Sequence, residues 1–389
     1  MNCLFVHDFR SYSRDGEIYT GNLSYEIWKE RYIKYFENVR VLNRSGEMEE
    51  TDSPSRYVKA SGPNVEFLNE IDVFTPISFA LNINSYKKIV YKHVDDAEYV
   101  IIRLDSFLGL IAAKRCRETG KKYLIEVVGC VWDSFWNKGA YGKLVAYPLL
   151  KRMQKEILVA PYVVYVTEKF LQSRYPTRGK STNISNVLLP KHDDTVLTRR
   201  LERIEVRQDS PFEIVTVASV SVRYKGQESV IKALGELKKQ GNSNFIYHLI
   251  GTGNSDYLKS IAKSEEIEDR VIFHGGMKHD DVISFLDKCD IYIQPSKQEG
   301  LPRSLIEGMS RGMLCFGTRV AGIPELLDPS MLFSKRNENY QEIACLLNKI
   351  TPDEYKAQAA RNFKEAKKYE IDVLSQRRER FFTEFRDNV

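Results

Sequence analysis

Glu299 and Glu307 are two carboxylates separated by seven residues, set where an apolar run gives way to a helical one. The run before them, Asp290-Ile291-Tyr292-Ile293-Gln294-Pro295-Ser296, reads as a strand closed by a proline. Pro302 then opens a helix predicted over 303–310, since a first helical residue has no use for its N–H. Glu299 therefore falls in the turn at the strand's C-terminal end, and Glu307 lies about a turn and a half into the helix, at roughly 1.5 Å of rise per residue. Between them the chain offers free backbone N–H groups and the positive end of a helix dipole. That arrangement suits a phosphorylated ligand bearing hydroxyls, with N–H groups for phosphate or sugar oxygens and carboxylates for diols. The plainer reading is a helix that gathers acids at its start for the sake of its dipole. Glu307 argues against it, because it falls beyond the first turn.

Other residues carry complementary chemistry. Lys225-Gly226 opens a predicted helix, with Arg223 two residues earlier. A cation there can hold a diphosphate as a point charge, or it is simply an exposed lysine at a turn. Gly251-Thr252-Gly253-Asn254-Ser255-Asp256 follows a predicted strand, but Asp256 stands where a dinucleotide fingerprint needs its third glycine. The segment reads as a tight turn beside a nucleotide or as a purely structural one. Gly275-Gly276-Met277 and Gly322-Ile323-Pro324-Glu325 are further loops rich in accessible backbone at strand ends; the former either hydrogen-bonds a base or only turns the corner. The six histidines show no metal-ligand spacing.

The elements that must position these residues alternate in type along the chain. Strands are predicted at 2–8, 39–44, 65–68, 99–104, 123–128, 162–167 and 186–189. Helices fall between them at 22–38, with Gly21-Asn22 as a cap, and at 85–94, 107–118 and 141–158; 45–63 is a polar excursion. Such alternation is the signature of parallel β-α units. Residues 190–211 lack a core pattern and read as a linker. A second alternation follows, with strands at 212–218, 245–250, 271–274, 291–294 and 313–317 and helices at 227–240, 257–265, 280–287 and 303–310. A helical tail then runs from 353 to 389. Two Rossmann-like domains are expected, with the ligand outside the C-terminal ends of the strands.

At 389 residues, two domains fit better than one core. Apolar residues make up 42% and charged residues 29%, as in a folded globular protein. The net charge of +5 is too weak to argue for nucleic acid, though it accommodates an anionic substrate. Six scattered cysteines without a C-x-x-C pair read as buried, reduced thiols in a cytosolic protein. The N-terminus reads as a strand and not as a signal peptide, and no apolar window is long enough for a bilayer. Residues 138–155 carry Lys138, Lys143, Lys151, Arg152 and Lys155 without an acid, interleaved with Tyr141, Leu144, Tyr147 and Leu149. Two readings stand: a basic amphipathic helix lying on anionic lipid, or a crossover helix with a solvated face.

Lys225-Gly226, Gly251-Thr252-Gly253, Phe273-His274-Gly275, Pro295-Ser296, Glu299-Gly300-Leu301-Pro302 with Glu307, and Gly322-Ile323-Pro324-Glu325 resemble, in order and spacing, the family 4 retaining glycosyltransferases. The resemblance is strongest over 212–327. It is looser in the N-terminal half, where Asp15-Gly16-Glu17-Ile18-Tyr19 and Val166-Thr167-Glu168 with Tyr175-Pro176 look like bacterial polysaccharide members. It implies an α/β fold of GT-B type: two facing Rossmann-like domains with a C-terminal helix crossing back to the N-terminal one. The implied division is an acceptor-binding domain over 1–190, a linker over 191–211, a nucleotide-sugar domain over 212–365 and the returning helix over 366–389. The resemblance assigns the catalytic positions to Glu299, Lys225 and Arg223. Donor binding falls to Glu307 at the ribose, to Gly300, Leu301, Pro302, Arg303 and Ser304, and to Gly251, Gly253, Gly275 and Met277. Gly21 and Asn22 would approach from the first helix. Where many members carry an arginine this chain has Ser219; either Arg223 substitutes for it or the backbone holds more of the phosphate. Glu126 and Trp132 lie where some members have a histidine.

The expected activity is metal-independent transfer, with retention, from a nucleoside-diphosphate sugar, a UDP-sugar foremost, to a hydroxyl of a glycan or lipid-linked glycan in surface polysaccharide biosynthesis. No cofactor and no nucleic acid are expected, and the location is cytoplasmic, with peripheral contact to the inner membrane face through 138–155. The alternatives are a transferase with a small soluble acceptor and a sugar-nucleotide-binding protein without turnover.

Overall fold

The computed structural model describes residues 1–389 except 22, 49–56, 137–138, 208–209 and 388–389. The chain divides into two compact units, Met1–Ile184 with Ser375–Val389, and Ser185–Leu374.

The first unit holds a nine-stranded sheet of β1 (Asn2–Arg14), β2 (Glu17–Thr20), β3 (Asn38–Glu47), β4 (Val58–Lys59), β5 (Val65–Phe67), β6 (Tyr99–Leu104), β7 (Tyr123–Val127), β8 (Tyr162–Tyr165) and β9 (Lys180–Asn183). Its parallel part runs β5-β3-β1-β6-β7-β8-β9. β2 pairs antiparallel with β1 across a turn at Asp15 and Gly16, both at positive φ, and β4 pairs antiparallel with β2. All five residues of β7 are buried, as expected of a parallel strand covered by helices on both faces. β1 runs well past the predicted 2–8. Its register against β3 shifts between Val6 and Arg10, so the strand is bulged around Asp8.

Three differences from the expected elements have physical reasons. The helix expected over 22–38 is an α-helix only at Tyr25–Trp28 and continues as a π-turn, Lys29–Ile33; the wider turn keeps Trp28 and Tyr32 against Phe5, at ring separations of 5.1 and 5.2 Å. Residues 186–189 make no strand beyond a bridge from Leu189 to Glu370, whereas β9, Lys-Ser-Thr-Asn, is a polar strand at the sheet's edge. Residues 195–205 form a helix whose buried residues are Arg200 and Ile204.

The second unit holds a parallel six-stranded sheet of β10 (Phe212–Val217), β11 (Phe245–Ile250), β12 (Val271–Gly275), β13 (Ile291–Gln294), β14 (Leu314–Thr318) and β15 (Leu332–Phe333) in the order β12-β11-β10-β13-β14-β15. β13 and β14 are buried throughout. In both units the strand order reverses beside the first strand: between β1 and β6, and between β10 and β13. Such reversal points open a crevice at the strands' C-terminal ends, where ligands of doubly wound folds bind.

Candidate functional site

In the second unit the crevice is bounded by the loops that follow β10 and β13. A short 3₁₀ turn, Arg223–Lys225, follows β10 and ends at Gly226, which begins the helix Gln227–Lys239. Gly226 has φ +74°, and a Cβ there would stand 2.0 Å from the Pro295 carbonyl oxygen. Only glycine lets the two loops approach this closely. The main chain fastens them further, the Lys297 N–H donating to the Tyr224 carbonyl at 2.7 Å.

This approach brings Lys225 to Glu299. Lys225 Nζ donates to Glu299 Oε1 at 2.6 Å, with side chains 23% and 12% exposed. Glu299 is held from behind as well. Gln294, the buried last residue of β13, donates through Nε2 to Glu299 Oε1 at 3.0 Å and to Ser296 Oγ at 2.8 Å, and accepts from the Tyr292 hydroxyl at 3.1 Å. Burial pushes the Tyr292 phenol above its ordinary range, so it acts as a donor. The result is a relay from the sheet's interior, Tyr292 to Gln294 to Glu299, that fixes a carboxylate beside an ammonium group.

The helix Arg303–Ser310 begins after Pro302, and no side chain caps it. Its first N–H groups lie directly after the Glu299 turn, an arrangement that favours anions. The Gly300 carbonyl accepts from the Gly322 N–H at 2.9 Å, which ties the turn to the loop following β14. Glu307 Oε1 lies 3.2 Å from His279 Nε2, its side chain 12% exposed.

Arg223 belongs to a neighbouring cluster. Its guanidinium lies 4.1 Å from the centre of the Tyr257 ring. The Tyr257 hydroxyl donates to Glu228, which also accepts from Lys297 at 3.2 Å. Burial raises the Glu228 carboxyl, but these bonds outweigh it and hold it below the usual carboxylate range. Ser219 donates to the Thr252 carbonyl at 3.0 Å, and its own carbonyl accepts from Gln227 at the same distance.

Gly251, Gly253 and Gly275 sit at the ends of the paired strands β11 and β12, with the Gly251 N–H donating to the Gly275 carbonyl at 2.7 Å. Gly253 has φ +119°, and a Cβ there would meet Ser221 Oγ at 2.5 Å. Met277, half-buried, follows them. Leu301 and Ser304 are half-buried, and Arg303 is exposed. Gly21 is an exposed residue of the first unit, after β2; Asn22 lies outside the described residues, as does Lys138.

Gln294, His279, Glu228 and Lys297 are site residues that the sequence reading passed over. Two had a signal: Gln294 is a polar residue ending an otherwise apolar strand, and His279 opens a helix three residues after Gly276. Among the described residues no group of His, Cys, Asp and Glu forms a metal site. The arrangement can seat an anion between Lys225 and uncapped helix starts, and grip hydroxyls at Glu299 and Glu307.

Residues 198–369 match the family described as glycosyl transferases group 1. Protein CapJ of Staphylococcus aureus is 28% identical over 352 residues, covering 87% of this chain and 83% of that one. A putative colanic acid biosynthesis glycosyltransferase, WcaL of Escherichia coli K12, is 32% identical over 126 residues, 31% of this chain and 30% of that protein. Among solved structures, Anabaena Alr3699/HepE in complex with UDP superposes with a TM-score of 0.65 at 17% identity, covering 98% of this chain and 99% of that one. The architecture shared with such structures is GT-B.

Proposed function

We propose that this chain, a glycosyltransferase of the group 1 family, moves a glycosyl unit from a UDP-sugar to a hydroxyl of a glycan or lipid-linked glycan, retaining the anomeric configuration, in assembly of a surface polysaccharide. The observation that carries this reading is the Lys225–Glu299 pair at the reversal point of the second sheet, held from behind by Gln294. The named functions of its relatives, among them colanic acid and amylovoran biosynthesis, support the polysaccharide setting, and the UDP held by HepE supports the donor.

Chemically, leaving-group departure places negative charge on a diphosphate while the sugar gains oxocarbenium character. Lys225 and the uncapped start of helix Arg303–Ser310 stand ready to stabilise that charge. Glu299 positions the sugar and is itself positioned by the sheet. Glu307 takes the ribose hydroxyls, the Gly251, Gly253, Gly275 and Met277 loops take the base, and Arg223 lends charge from its Tyr257 stack. The acceptor attacks from the face the diphosphate leaves, and the departing phosphate takes its proton. Replacing Lys225 or Glu299 by Ala lowers turnover with a UDP-sugar by about a hundred- to a thousandfold. Undiminished transfer by both variants would sink the assignment.

Contact with an anionic membrane face belongs to the same reading. In helix Gly139–Leu158 the exposed stripe Lys143, Leu144, Tyr147, Pro148, Lys151, Arg152 and Lys155 mixes cations with apolar side chains. Leu144 and Tyr147 are 76% and 56% exposed, a composition that lies well in a lipid interface. No helix among the described residues is long and apolar enough to cross a membrane.

A further inference from the structure

We infer that the first unit has its own ligand site at the reversal point between β1 and β6, and that its ligand is an amphipathic phosphate: an anionic head joined to an apolar chain. In taking that ligand to be the lipid-phosphate part of a lipid-linked glycan acceptor, the inference rests on the transferase reading above.

A cavity of about 640 Å³ opens there, within the range of small-molecule sites, about 300–1,000 Å³. Its lining has two characters. Part of it is polar: Asp8 and Arg10 within β1, Arg44 within β3, and Asp105 and Ser106 after β6. The walls are apolar and come largely from helices: Phe107 and Leu110, Phe135, and Leu149 and Met153, with Phe74 from the loop before Pro76. A bare sugar needs hydrogen-bonding walls, because its hydroxyls lose water on entry. Beyond that polar set this cavity adds only the Thr75 and Ser134 side chains.

The charges of that set are partly committed. The Asp8 carboxylate accepts from the Phe107 N–H at 2.6 Å, the Leu108 N–H at 3.0 Å and the Ser106 hydroxyl at 2.8 Å, so it caps the helix Phe107–Thr119. Burial pushes its carboxyl above the usual range against the pull of those bonds. Arg44 donates to the Asp8 and Phe74 carbonyls and lies 4.9 Å over the Phe74 ring. Both its carbonyl partners are neutral, but the Asp8 carboxylate lies close enough to support its charge, so Arg44 meets the cavity as half of a charge pair. Arg10 is the register partner of Arg44 across the two strands. It is exposed, and among the described residues no carboxylate pairs with it. With Arg44 offset by Asp8, the exposed Arg10 guanidinium is the cation left beside a largely apolar lining, and it matches a phosphate carrying a chain. The helix that gives Leu149 and Met153 to the wall is the one whose other side carries the basic and apolar stripe.

The test measures equilibrium binding to the full-length protein by intrinsic fluorescence, since Trp132 and Trp136 stack on the helix that supplies Phe135. The probes are farnesyl phosphate, dodecyl phosphate, farnesol and inorganic phosphate, each kept in free solution. Farnesyl phosphate is expected to bind more than about tenfold tighter than farnesol or phosphate alone, because only it uses both the polar and the apolar lining. Dodecyl phosphate binding as well as farnesyl phosphate assigns the site to acyl and isoprenoid chains alike; weaker binding by about tenfold assigns it to branched chains. Arg10→Glu weakens both phosphates by about tenfold and leaves farnesol unchanged, whereas Ser134→Phe, at a half-buried lining position, weakens every chain-bearing probe. Inorganic phosphate binding as tightly as farnesyl phosphate to the unaltered protein would overturn the inference, and so would farnesyl phosphate binding unchanged in both variants. Thermal stabilisation by a UDP-sugar, an event of the second unit, is recorded in parallel. Its absence would count against the donor reading and leave the cavity's result standing.

Discussion

The two reversal points occupy equivalent places in sheets of the same strand order, β5-β3-β1-β6-β7-β8 and β12-β11-β10-β13-β14-β15, yet they are furnished in opposite ways. In the second unit the site is made of main chain and of charges carried on short loops: a glycine against a carbonyl, uncapped N–H groups, and one ammonium–carboxylate pair. In the first, the helix start that faces the crevice is already capped by Asp8, and the space beyond it is walled by large apolar side chains. An uncapped helix start is available to a phosphate, whereas one capped by the protein's own carboxylate is not. The same topology thus yields uncapped helix starts beside an ammonium–carboxylate pair in one unit and a largely apolar cavity with arginines in its lining in the other. A transferase needs two such unlike surfaces, one for a charged donor and one for its acceptor.

The contrast can be broken most severely at Gly226. Gly226→Val forces a β-branched residue to positive φ and drives its Cβ into the Pro295 carbonyl. It is expected to destabilise the second unit by about 3 kcal/mol, and to abolish stabilisation by a UDP-sugar in a thermal-shift assay. A variant that keeps both its melting temperature and its donor response would show that the site does not depend on this close approach. Next in size is the double substitution Lys151→Glu/Arg152→Glu. It should release the protein from anionic liposomes by about 2 kcal/mol, read by co-sedimentation, since each cation near such a surface contributes about 1 kcal/mol. Equal sedimentation of variant and parent would leave helix Gly139–Leu158 as a crossover helix with a solvated face. The smallest effect is expected from Glu307→Gln, which keeps shape but removes charge. Affinity for UDP should fall about tenfold, or about 1.4 kcal/mol, with inorganic pyrophosphate unaffected. Equal loss for both ligands would place Glu307 at the phosphates and not at the ribose.

The same contrast explains what could be seen in the sequence. The second unit's candidate site is written in consecutive residues: Glu299 to Glu307 span one strand-to-helix turn, which their spacing exposes, whereas Lys225-Gly226 stands out only beside the family resemblance. Their partners were less visible. Gln294 matters only because Tyr292, Ser296 and Glu299 converge on it, and His279 only because folding brings it to Glu307. The first unit's cavity draws on residues from Asp8 to Met153, and no local pattern marks a set so dispersed. Alternating apolar runs and amphipathic segments made the two doubly wound sheets legible, and failed where burial does not follow hydrophobicity. Helix Thr195–Glu205 buries Arg200, whose guanidinium donates to the carbonyls of Cys289, Arg311 and Leu286. Such a residue reads as solvated in sequence but serves in the fold as a cap for chain ends. Asp8 is hidden for a like reason: a carboxylate within a strand gives no sign that a helix about a hundred residues later will use it.

The central claim is that Lys225 and Glu299 divide the donor between them, the lysine holding the diphosphate and the carboxylate the sugar. Calorimetric titration of UDP and of a UDP-sugar into the parent protein, Lys225→Met and Glu299→Gln tests it directly. The account predicts that Lys225→Met loses affinity for both ligands by about tenfold or more, while Glu299→Gln loses it for the UDP-sugar alone. UDP binding to Lys225→Met with unchanged affinity would contradict it.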